Sequence, residues 1–402
     1  MQVKREGVFV KEHFDQFYKE YCTTLMDSIL PFWLHYGFDR EHGGLYTGLD
    51  RDGSLLETDK SVWFQGRALW VYSTAYRQME ARREYKELCD SLVAFIENHC
   101  FDPVDGRMYF RVSDSGKPVI KRIRYVFSET FTILGFAAYS RAFNKPEYAQ
   151  KAYDLFKKVE GYLNSEGVLT PKFSTPSRGF GLPMILLNTV SELRVALPEK
   201  KDEFTAIIDT YIKEIETYFV RPELKIVVEQ CNEDGSLALD HFEGRLLNPG
   251  HAIEGAWFIL QEAVERGNDP DLINLGTTML NWMFERGWDT EHGGIIYFRD
   301  ALNKSATEYW HDMKFWWPQC EAAIANLMAY RLTKKEEYLL QFEQVDRYIK
   351  DHFIDAEYGE WYGYLHKDNT LSTPLKGNMY KGPFHIPRMY LVCCSLFDEL
   401  RK

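Results

Sequence analysis

The sequence predicts an all-α protein, an (α/α)6 barrel in which a toroid of six helix hairpins carries short β-hairpin loops at one mouth. Three observations lead to this prediction. An apolar helical segment that begins with polar or aromatic residues recurs about every 62 to 67 residues. Amphipathic segments alternate with the apolar ones, and turns with an Asp-Gly-aromatic pattern separate the pairs. Six such pairs close naturally into a ring, whereas an open solenoid leaves end faces that need capping.

Six apolar segments are the predicted inner helices of this ring. They span residues 62–76, 125–139, 180–187, 251–258, 315–330 and 385–397. If Arg67, Thr130, Glu254, Glu321 and Arg388 are taken as equivalent, the steps are about 63, 124, 67 and 67 residues. The step of 124 residues is two units long, with the weaker copy at 180–187 between them. The polar starts of all six helices are therefore expected at one mouth of the ring.

The outer helices and the turns are predicted from the segments between these copies. Residues 85–96 show apolar positions at helical spacing, as an outer helix with one buried face requires. Residues 39–46, 102–109, 289–297 and 355–361 share an Asp, then a Gly, then an aromatic residue. Glycine at that place suits a tight turn or a short hairpin.

Composition limits the classes of function. No linker rich in Pro, Gly or Ser divides the chain, so residues 1–402 are predicted to form a single domain. The net charge of −12 repels phosphate backbones and anionic membranes, so no nucleic acid and no membrane is expected as a partner. No apolar run approaches the roughly 18 residues of a membrane span, and the charged N-terminus does not resemble a signal peptide. Seven scattered cysteines without a CxxC pair indicate free thiols, and hence a cytoplasmic protein.

Polar residues at the starts of the inner helices form the candidate site. His251 lies three residues before Glu254, and His385 lies three residues before Arg388. Arg67 and Glu321 occupy the same position in their own copies. Residues three apart share a helix face, so each pair is expected to point into one cavity. A lone histidine there is more often a satisfied core residue, but glutamate and arginine are rarely buried without a partner.

This set of groups suits proton abstraction next to a carbonyl. Imidazoles have an unperturbed pKa near 6.5, so one can be neutral while the other is protonated at neutral pH. One histidine removes the C2 proton of an open-chain aldose, and an arginine stabilises the enediolate that results. The second histidine returns a proton to the opposite face, which inverts C2. Glutamates orient the imidazoles or bind hydroxyl groups.

Other residues have two interpretations. Aromatic residues make up 15% of the chain, either as bulky core filler or as rings that stack on sugars in the pocket. His241, ten residues before His251, is predicted to bind the substrate from a loop over the pocket. His42 and His292 fit the turn repeat and are predicted to be structural. The chain lacks HExxH, Cys/His clusters and nucleotide-binding glycine loops, so no metal and no cofactor is expected.

Three segments carry a specific resemblance to a known family. They are Asn-Pro-Gly-His-Ala-Ile-Glu at 248–254, Met-Lys-Phe-Trp-Trp-Pro-Gln-Cys-Glu-Ala at 313–322, and Lys-Gly-Pro-Phe-His-Ile-Pro-Arg at 381–388. With Gln-Gly-Arg at 65–67, they make the chain resemble the N-acylglucosamine 2-epimerase family nearly end to end.

The resemblance implies a function and the residues that perform it. It implies an (α/α)6 barrel that interconverts N-acetylglucosamine and N-acetylmannosamine without a redox cofactor. It places His251 and His385 on the acid/base pair, and Arg67, Glu254, Glu321 and Arg388 on the substrate pocket. Trp316, in the second segment, is also predicted to bind the substrate. ATP as an allosteric activator and a homodimer are implied by resemblance alone.

Related activities remain as alternatives. Cellobiose 2-epimerases and aldose–ketose isomerases of the mannose type share the two-histidine chemistry, but they carry a further histidine on the third inner helix. Here that helix begins Gly-Leu-Pro-Met-Ile and has none. A glycoside hydrolase needs two carboxylates across a scissile bond, which leaves both histidines without a role. A protein-binding module is the least favoured alternative, because no exposed apolar interface is evident in the sequence.

Overall fold

Fourteen α-helices dominate the part of the chain that the structure describes. A computed structural model describes residues 2–117, 125–165, 169 and 176–402, with side chains from residue 12 onward. Six long helices form an inner ring: α3 (Val62–Gln78), α5 (Phe127–Phe143), α7 (Gly181–Ala196), α10 (Pro249–Glu265), α12 (Trp316–Thr333) and α14 (His385–Leu400). Six others lie outside it: α1 (Gln2–Thr24), α4 (Arg83–His99), α6 (Pro146–Leu163), α8 (Lys201–Tyr218), α11 (Pro270–Gly287) and α13 (Glu336–His352). The remaining helical pieces are short: α2 (Leu30–Phe32), α9 (Phe242–Arg245), π-helical Leu25–Ile29 and Trp33–Gly37, and a 3₁₀ turn at Pro198–Lys200.

The inner helices close into a ring. Each packs against the next in the order α3, α5, α7, α10, α12 and α14, and α14 returns to α3. The outer helices α4, α6, α8, α11 and α13 each pack on the inner helix that precedes them, while α1 packs on α14. The first helix of the chain therefore completes the last hairpin. The predicted (α/α)6 barrel is confirmed.

Burial separates the two rings as the sequence pattern predicts. Every residue of α12 from Trp316 to Ala329 is buried, as expected of a helix surrounded by others. In α4 the buried residues recur at helical spacing along one face, so the predicted amphipathic segment 85–96 is confirmed. Glycines let α3 and α5 approach closely: a Cβ at Gly66 would lie 2.4 Å from the Phe131 carbonyl oxygen, and one at Gly135 would lie 2.7 Å from that of Gly66.

Short antiparallel strands gather at the mouth where the inner helices begin. The strands are β1 (Lys60–Ser61), β2 (Arg111–Val112), β3 (Ser177–Gly179), β4 (Val220–Arg221), β5 (Ile226–Val227), β6 (Gln230–Asn232), β7 (Leu246–Leu247), β8 (Arg299–Asp300), β9 (Lys314–Phe315), β10 (Tyr364–Leu365) and β11 (Leu371–Thr373). They pair as β1 with β2, β3 with β6, β4 with β5, β7 with β8, and β9–β10–β11. Several pairs join successive loops, so neighbouring loops brace one another around the mouth.

A glutamine on an inner helix holds each of two Asp-Gly turns. Gln65 exchanges hydrogen bonds with the backbone of Leu45, at 2.9 Å in both directions. Gln319 does the same with Ile295, at 2.8 and 2.9 Å. The turn glycine Gly294 has φ of 82°, a conformation that side chains rarely adopt. These glutamines lie two residues before Arg67 and Glu321, so the turns fix the helix starts that carry the site.

The same contacts correct the register of the second copy. Glu129 bonds the backbone N–H of Met108 in the turn at 102–109, at 3.2 Å, and thus occupies the place of Gln65 and Gln319. The residue equivalent to Arg67 and Glu321 is therefore Phe131, and the assignment of that position to Thr130 is one residue out of register. The hydroxyl of Thr130 instead donates to the Phe127 carbonyl oxygen at 3.1 Å within its own helix.

Within the described residues, no helix combines the length and apolarity that crossing a membrane requires.

Candidate active site

A cavity of about 530 Å³ opens at the mouth of the ring. Five of the residues predicted from the sequence line it: Arg67, His251, Glu254, Trp316 and His385. The rest of the lining is mostly aromatic or apolar, and consists of Trp63, Phe127, Phe131, Gly181, Met184, Ile185, Tyr297, Trp310, Phe315, Trp317, Tyr364 and Tyr380. Such a surface suits a sugar, whose C–H faces pack on rings while a few polar groups fix its orientation.

His385 is the first residue of α14, and a carboxylate of α12 holds its ring. Glu321 Oε1 lies 2.7 Å from His385 Nδ1. The Arg388 guanidinium, one turn along α14, donates from Nη2 to the same oxygen at 2.7 Å and also to Glu254. Trp257 Nε1 donates to Glu321 Oε2 at 2.7 Å. Both oxygens of Glu321 are thus engaged, and three inner helices converge behind His385.

Burial and charge set the protonation of this cluster. Desolvation, reinforced by the Arg388 guanidinium, lowers the pKa of His385 well below the ordinary imidazole value. His385 is therefore neutral at neutral pH. Burial disfavours the charge of Arg388, but the carboxylates of Glu321 and Glu254 outweigh it and raise the pKa of Arg388 above its usual range. Arg388 is thus a permanent cation that forms ion pairs with two buried carboxylates.

His251 has a partner of the same kind, supplied by a different element. Its Nδ1 lies 2.8 Å from Oε1 of Glu229, which is in the segment between β5 and β6. Its backbone N–H donates to Asn248 Oδ1 at 3.2 Å, so Asn248 caps the start of α10. The His251 side chain is 33% exposed and lies nearer to solvent than His385 does.

Arg67 supplies a positive charge on the cavity wall. Its guanidinium carbon lies 3.8 Å from the centroid of the Phe131 ring and 4.7 Å from that of Phe384. Burial lowers the pKa of Arg67 to about 9, and the nearby Glu254 carboxylate opposes that shift. The side chain is thus cationic at neutral pH. Within the described part of the chain, Arg67 Nε is buried and has no hydrogen-bond partner.

A single indole contacts both imidazoles. The Trp317 ring centroid lies 5.1 Å from that of His251 and 5.7 Å from that of His385. The approach of α12 to α10 is close here, since a Cβ at Gly250 would lie 2.5 Å from the Trp317 ring. The predicted Trp316 also lines the cavity, with its ring centroid 6.4 Å from that of His385.

One group of buried residues has donor atoms that suit a metal ion. One ligand atom from each of Glu254, Glu321 and His385 lies within 4.8 Å of the others. The Arg388 Nη2 atom already bonds both carboxylates and lies 3.2 Å from His385 Nδ1. A guanidinium therefore occupies the centre of the cluster, and a metal cation would have to displace it against like-charge repulsion. The arrangement fits a buried ion-pair network better than a metal site.

The remaining predicted residues fall outside the cavity wall. Glu321 and Arg388 lie directly behind the wall and contact substrate-facing groups instead of the open space. His241 is not brought to the site: its side chain is 72% exposed, and it is not part of the lining. His42 and His292 lie in the turns at 39–46 and 289–297, away from the lining.

Sequence reasoning missed Glu229 and Trp317, which both contact His251. Glu229 belongs to an irregular loop without periodicity, and no repeat equivalence points to it. The signal for Trp317 was present, since it lies four residues before Glu321 and so shares a helix face with it.

Comparisons with known proteins find relatives over nearly the whole chain. Residues 43–384 match the family model described as N-acylglucosamine 2-epimerase (GlcNAc 2-epimerase). The N-acylglucosamine 2-epimerase of Rattus norvegicus is 34% identical over 96% of this chain and 93% of its own length. The cellobiose 2-epimerase of Bacteroides fragilis is 25% identical over 95% of this chain and 98% of its own length. A solved cellobiose 2-epimerase from Bacillus thermoamylovorans shares the fold, with a TM-score of 0.83 and 22% identity over 95% of this chain and 99% of that one.

Proposed function

The chain belongs to the N-acylglucosamine 2-epimerase family, and from that membership we propose that it interconverts N-acetyl-D-glucosamine and N-acetyl-D-mannosamine. The chain is a carbohydrate epimerase, hence an isomerase. The observation that supports the mechanism best is the pair of imidazoles, each held at Nδ1 by a carboxylate and each in contact with the same indole in one sugar-sized cavity.

The reaction begins with proton removal from C2 of the open-chain sugar. His385 is neutral at neutral pH, and its Nδ1 is hydrogen-bonded to the Glu321 carboxylate. Its Nε2 therefore acts as the base for one epimer. The electron pair of the broken C2–H bond moves into the C1–C2 bond, and negative charge develops on the C1 oxygen. Because C2 of an amino sugar bears nitrogen, the intermediate is an enolate and not the enediolate of a simple aldose.

Arg67 stabilises that charge, and the second histidine completes the inversion. The Arg67 guanidinium lies on an aromatic wall with little competing solvent, where a fixed cation stabilises a developing oxyanion most effectively. Protonated His251 then delivers a proton to the opposite face of C2. In the reverse direction the two histidines exchange roles. Glu321 contributes by holding His385, and Arg388 by holding Glu254. Glu254 and Trp316 contact the substrate at the cavity wall.

The amino-sugar assignment is supported by identity and by the third inner helix. The relatives named for N-acylglucosamine are 33–34% identical to this chain, whereas those named for cellobiose are 24–27% identical. At the start of α7 the cavity is lined by Gly181, Met184 and Ile185, none of which transfers protons. An apolar wall there suits the methyl group of an acyl substituent, and it offers no extra acid or base for aldose–ketose isomerisation.

A panel of sugars tests this assignment. Pure protein is incubated separately with N-acetylmannosamine, N-acetylglucosamine, cellobiose and mannose, and proton NMR follows the anomeric signals. We expect each N-acetyl sugar to yield the other, with cellobiose and mannose converted at least tenfold more slowly. Faster conversion of cellobiose or mannose would move the substrate assignment to a sister activity. A second set of tubes with ATP measures whether the nucleotide activates.

The lowered pKa of His385 predicts an unusual acid limit. Below its pKa an imidazole is protonated and no longer accepts a proton, so activity falls as the pH drops through that value. Because the pKa of His385 lies well below 6.5, we expect kcat/KM to be kept at pH 6 and its acid midpoint to lie below 6.5. A midpoint at or above 6.5, measured with a constant-ionic-strength buffer series on protein that stays folded, would contradict the assigned protonation state.

We also propose a cytoplasmic location and a homodimer. All seven cysteines are free thiols, which fits a reducing compartment. The homodimer and activation by ATP rest on family membership, and sedimentation velocity together with the ATP tubes above tests them. The assignment of residues 1–402 to one domain belongs to the same proposal and predicts a single cooperative unfolding transition.

A further inference from the structure

Glu229 is a carboxylate on a tightly held backbone. It lies between β5 (Ile226–Val227) and β6 (Gln230–Asn232). Its carbonyl oxygen accepts a hydrogen bond from Phe180 N, just before α7, at 3.0 Å, and its N–H donates to Leu246 O in β7 at 3.4 Å. The backbone of Glu229 is thus tied to the starts of two inner-helix units. A side chain on such a backbone is well placed to fix the geometry of a neighbour.

The contact of Glu229 with His251 matches the contact of Glu321 with His385. The distances from carboxylate oxygen to Nδ1 are 2.8 and 2.7 Å. The two carboxylates come from unrelated elements, a loop and an inner helix, and therefore do not follow from the helical repeat. A carboxylate at Nδ1 holds the proton on that nitrogen, which assigns proton transfer to Nε2.

The surroundings of the two carboxylates differ. Glu321 is fully buried, and its carboxylate accepts hydrogen bonds from Arg388 and Trp257. Glu229 is 23% exposed, and its Oε1 lies against the imidazole of His251. A carboxylate beside an imidazole stabilises the protonated ring, and it does so most when no cation competes for it. Among the residues that the structure describes, Glu229 forms no ion pair with a Lys or Arg, so His251 has the partner better suited to an imidazolium.

We propose that Glu229 is a positioning residue that acts through His251. It fixes the proton on Nδ1, turns Nε2 towards C2 of the sugar and stabilises the imidazolium. When His251 acts as base, the C2–H bond breaks, the proton goes to Nε2, and the electron pair passes into the enolate on C1–C2. Glu229 stays a carboxylate throughout. This role rests on the proposed epimerase function.

Hydrogen exchange at C2 separates positioning from a merely structural role. Glu229→Gln, Glu229→Asp and Glu229→Ala are each incubated in D2O with either epimer, and both epimerisation and deuterium entry into the starting sugar are measured. We expect kcat for epimerisation to fall about 10²-fold or more in Glu229→Gln and Glu229→Ala, with partial recovery in Glu229→Asp. In the Glu229 variants, deuterium exchange at C2 should persist only for the epimer whose C2 proton faces His385. The same result is expected for His251→Ala.

The controls distinguish failure of the positioning role from failure of the proposed function and from loss of the fold. Glu233→Gln removes an exposed carboxylate just after β6, four residues from Glu229, and should leave both rates unchanged. Wild-type rates in Glu229→Gln, or an equal loss of exchange from both epimers, would overturn the positioning role. Wild-type protein that epimerises neither sugar would instead overturn the proposed function. Thermal midpoints of all variants show whether a loss of rate reflects a loss of fold.

Discussion

Replacing His385 with alanine is expected to lower the rate of epimerisation by about 10²–10⁴-fold while leaving the protein folded. The ring supplies one of the two proton transfers, and solvent in a cavity lined by aromatic residues replaces it poorly. The fold should survive because Arg388 keeps its ion pairs with Glu321 and Glu254 after the ring is removed. His251→Ala is expected to lose as much activity.

The two histidine variants should differ in C2 proton exchange. Each keeps one base, so in D2O each is expected to exchange the C2 proton of one epimer only, and the two variants should prefer opposite epimers. His42→Ala, which removes a turn histidine outside the cavity, serves as the matched control and should retain wild-type rates. Substantial epimerisation by either active-site variant would show that the base is misassigned.

Replacing Arg388 with methionine is expected to lower the free energy of unfolding by about 3–5 kcal/mol. The change keeps an unbranched apolar stem but leaves the carboxylates of Glu254 and Glu321 buried without their cation. Removing one member of a buried ion pair costs far more than removing one at the surface, since the remaining charges stay desolvated. Urea unfolding followed by circular dichroism measures the difference.

A surface pair provides the comparison for Arg388. Arg331 bonds Glu399 at the surface, where the two side chains are 22% and 50% exposed, so Arg331→Met is expected to cost only about 0–1 kcal/mol. Adding Glu254→Gln to Arg388→Met removes one of the two unpaired buried carboxylates. The double variant should therefore recover part of the lost free energy of unfolding. If Arg388→Met were no less stable than Arg331→Met, the buried network would not stabilise the ring as described.

The repeat in the sequence predicted most of the architecture and much of the site. Helices with the same orientation bring their starts to one mouth, so residues as distant as Arg67 and His385 could be assigned to one cavity before any contact was known. The i, i+3 spacing of His385 and Arg388 correctly predicted that they lie together. Polar residues on an otherwise apolar helix were the informative signal.

The features that were missed depend on geometry that no periodicity encodes. Glu229 reaches His251 from a loop whose path is set by backbone hydrogen bonds to two other units. Thr130 was placed one residue out of register because the second copy has Glu129 where Gln65 and Gln319 hold their turns. Proximity in sequence to His251 suggested that His241 faces the pocket, yet its side chain is directed into solvent.

The most direct test of the two-histidine mechanism is the fate of the C2 hydrogen. Wild-type protein is incubated with N-acetylmannosamine in D2O without added metal or nucleotide, and proton NMR observes C2 of the product. Because the proton is removed by one histidine and replaced by the other, we expect N-acetylglucosamine with deuterium at C2. Product that retains protium at C2 would mean that the hydrogen never exchanges with solvent, as in hydride transfer, and would contradict the two-histidine mechanism.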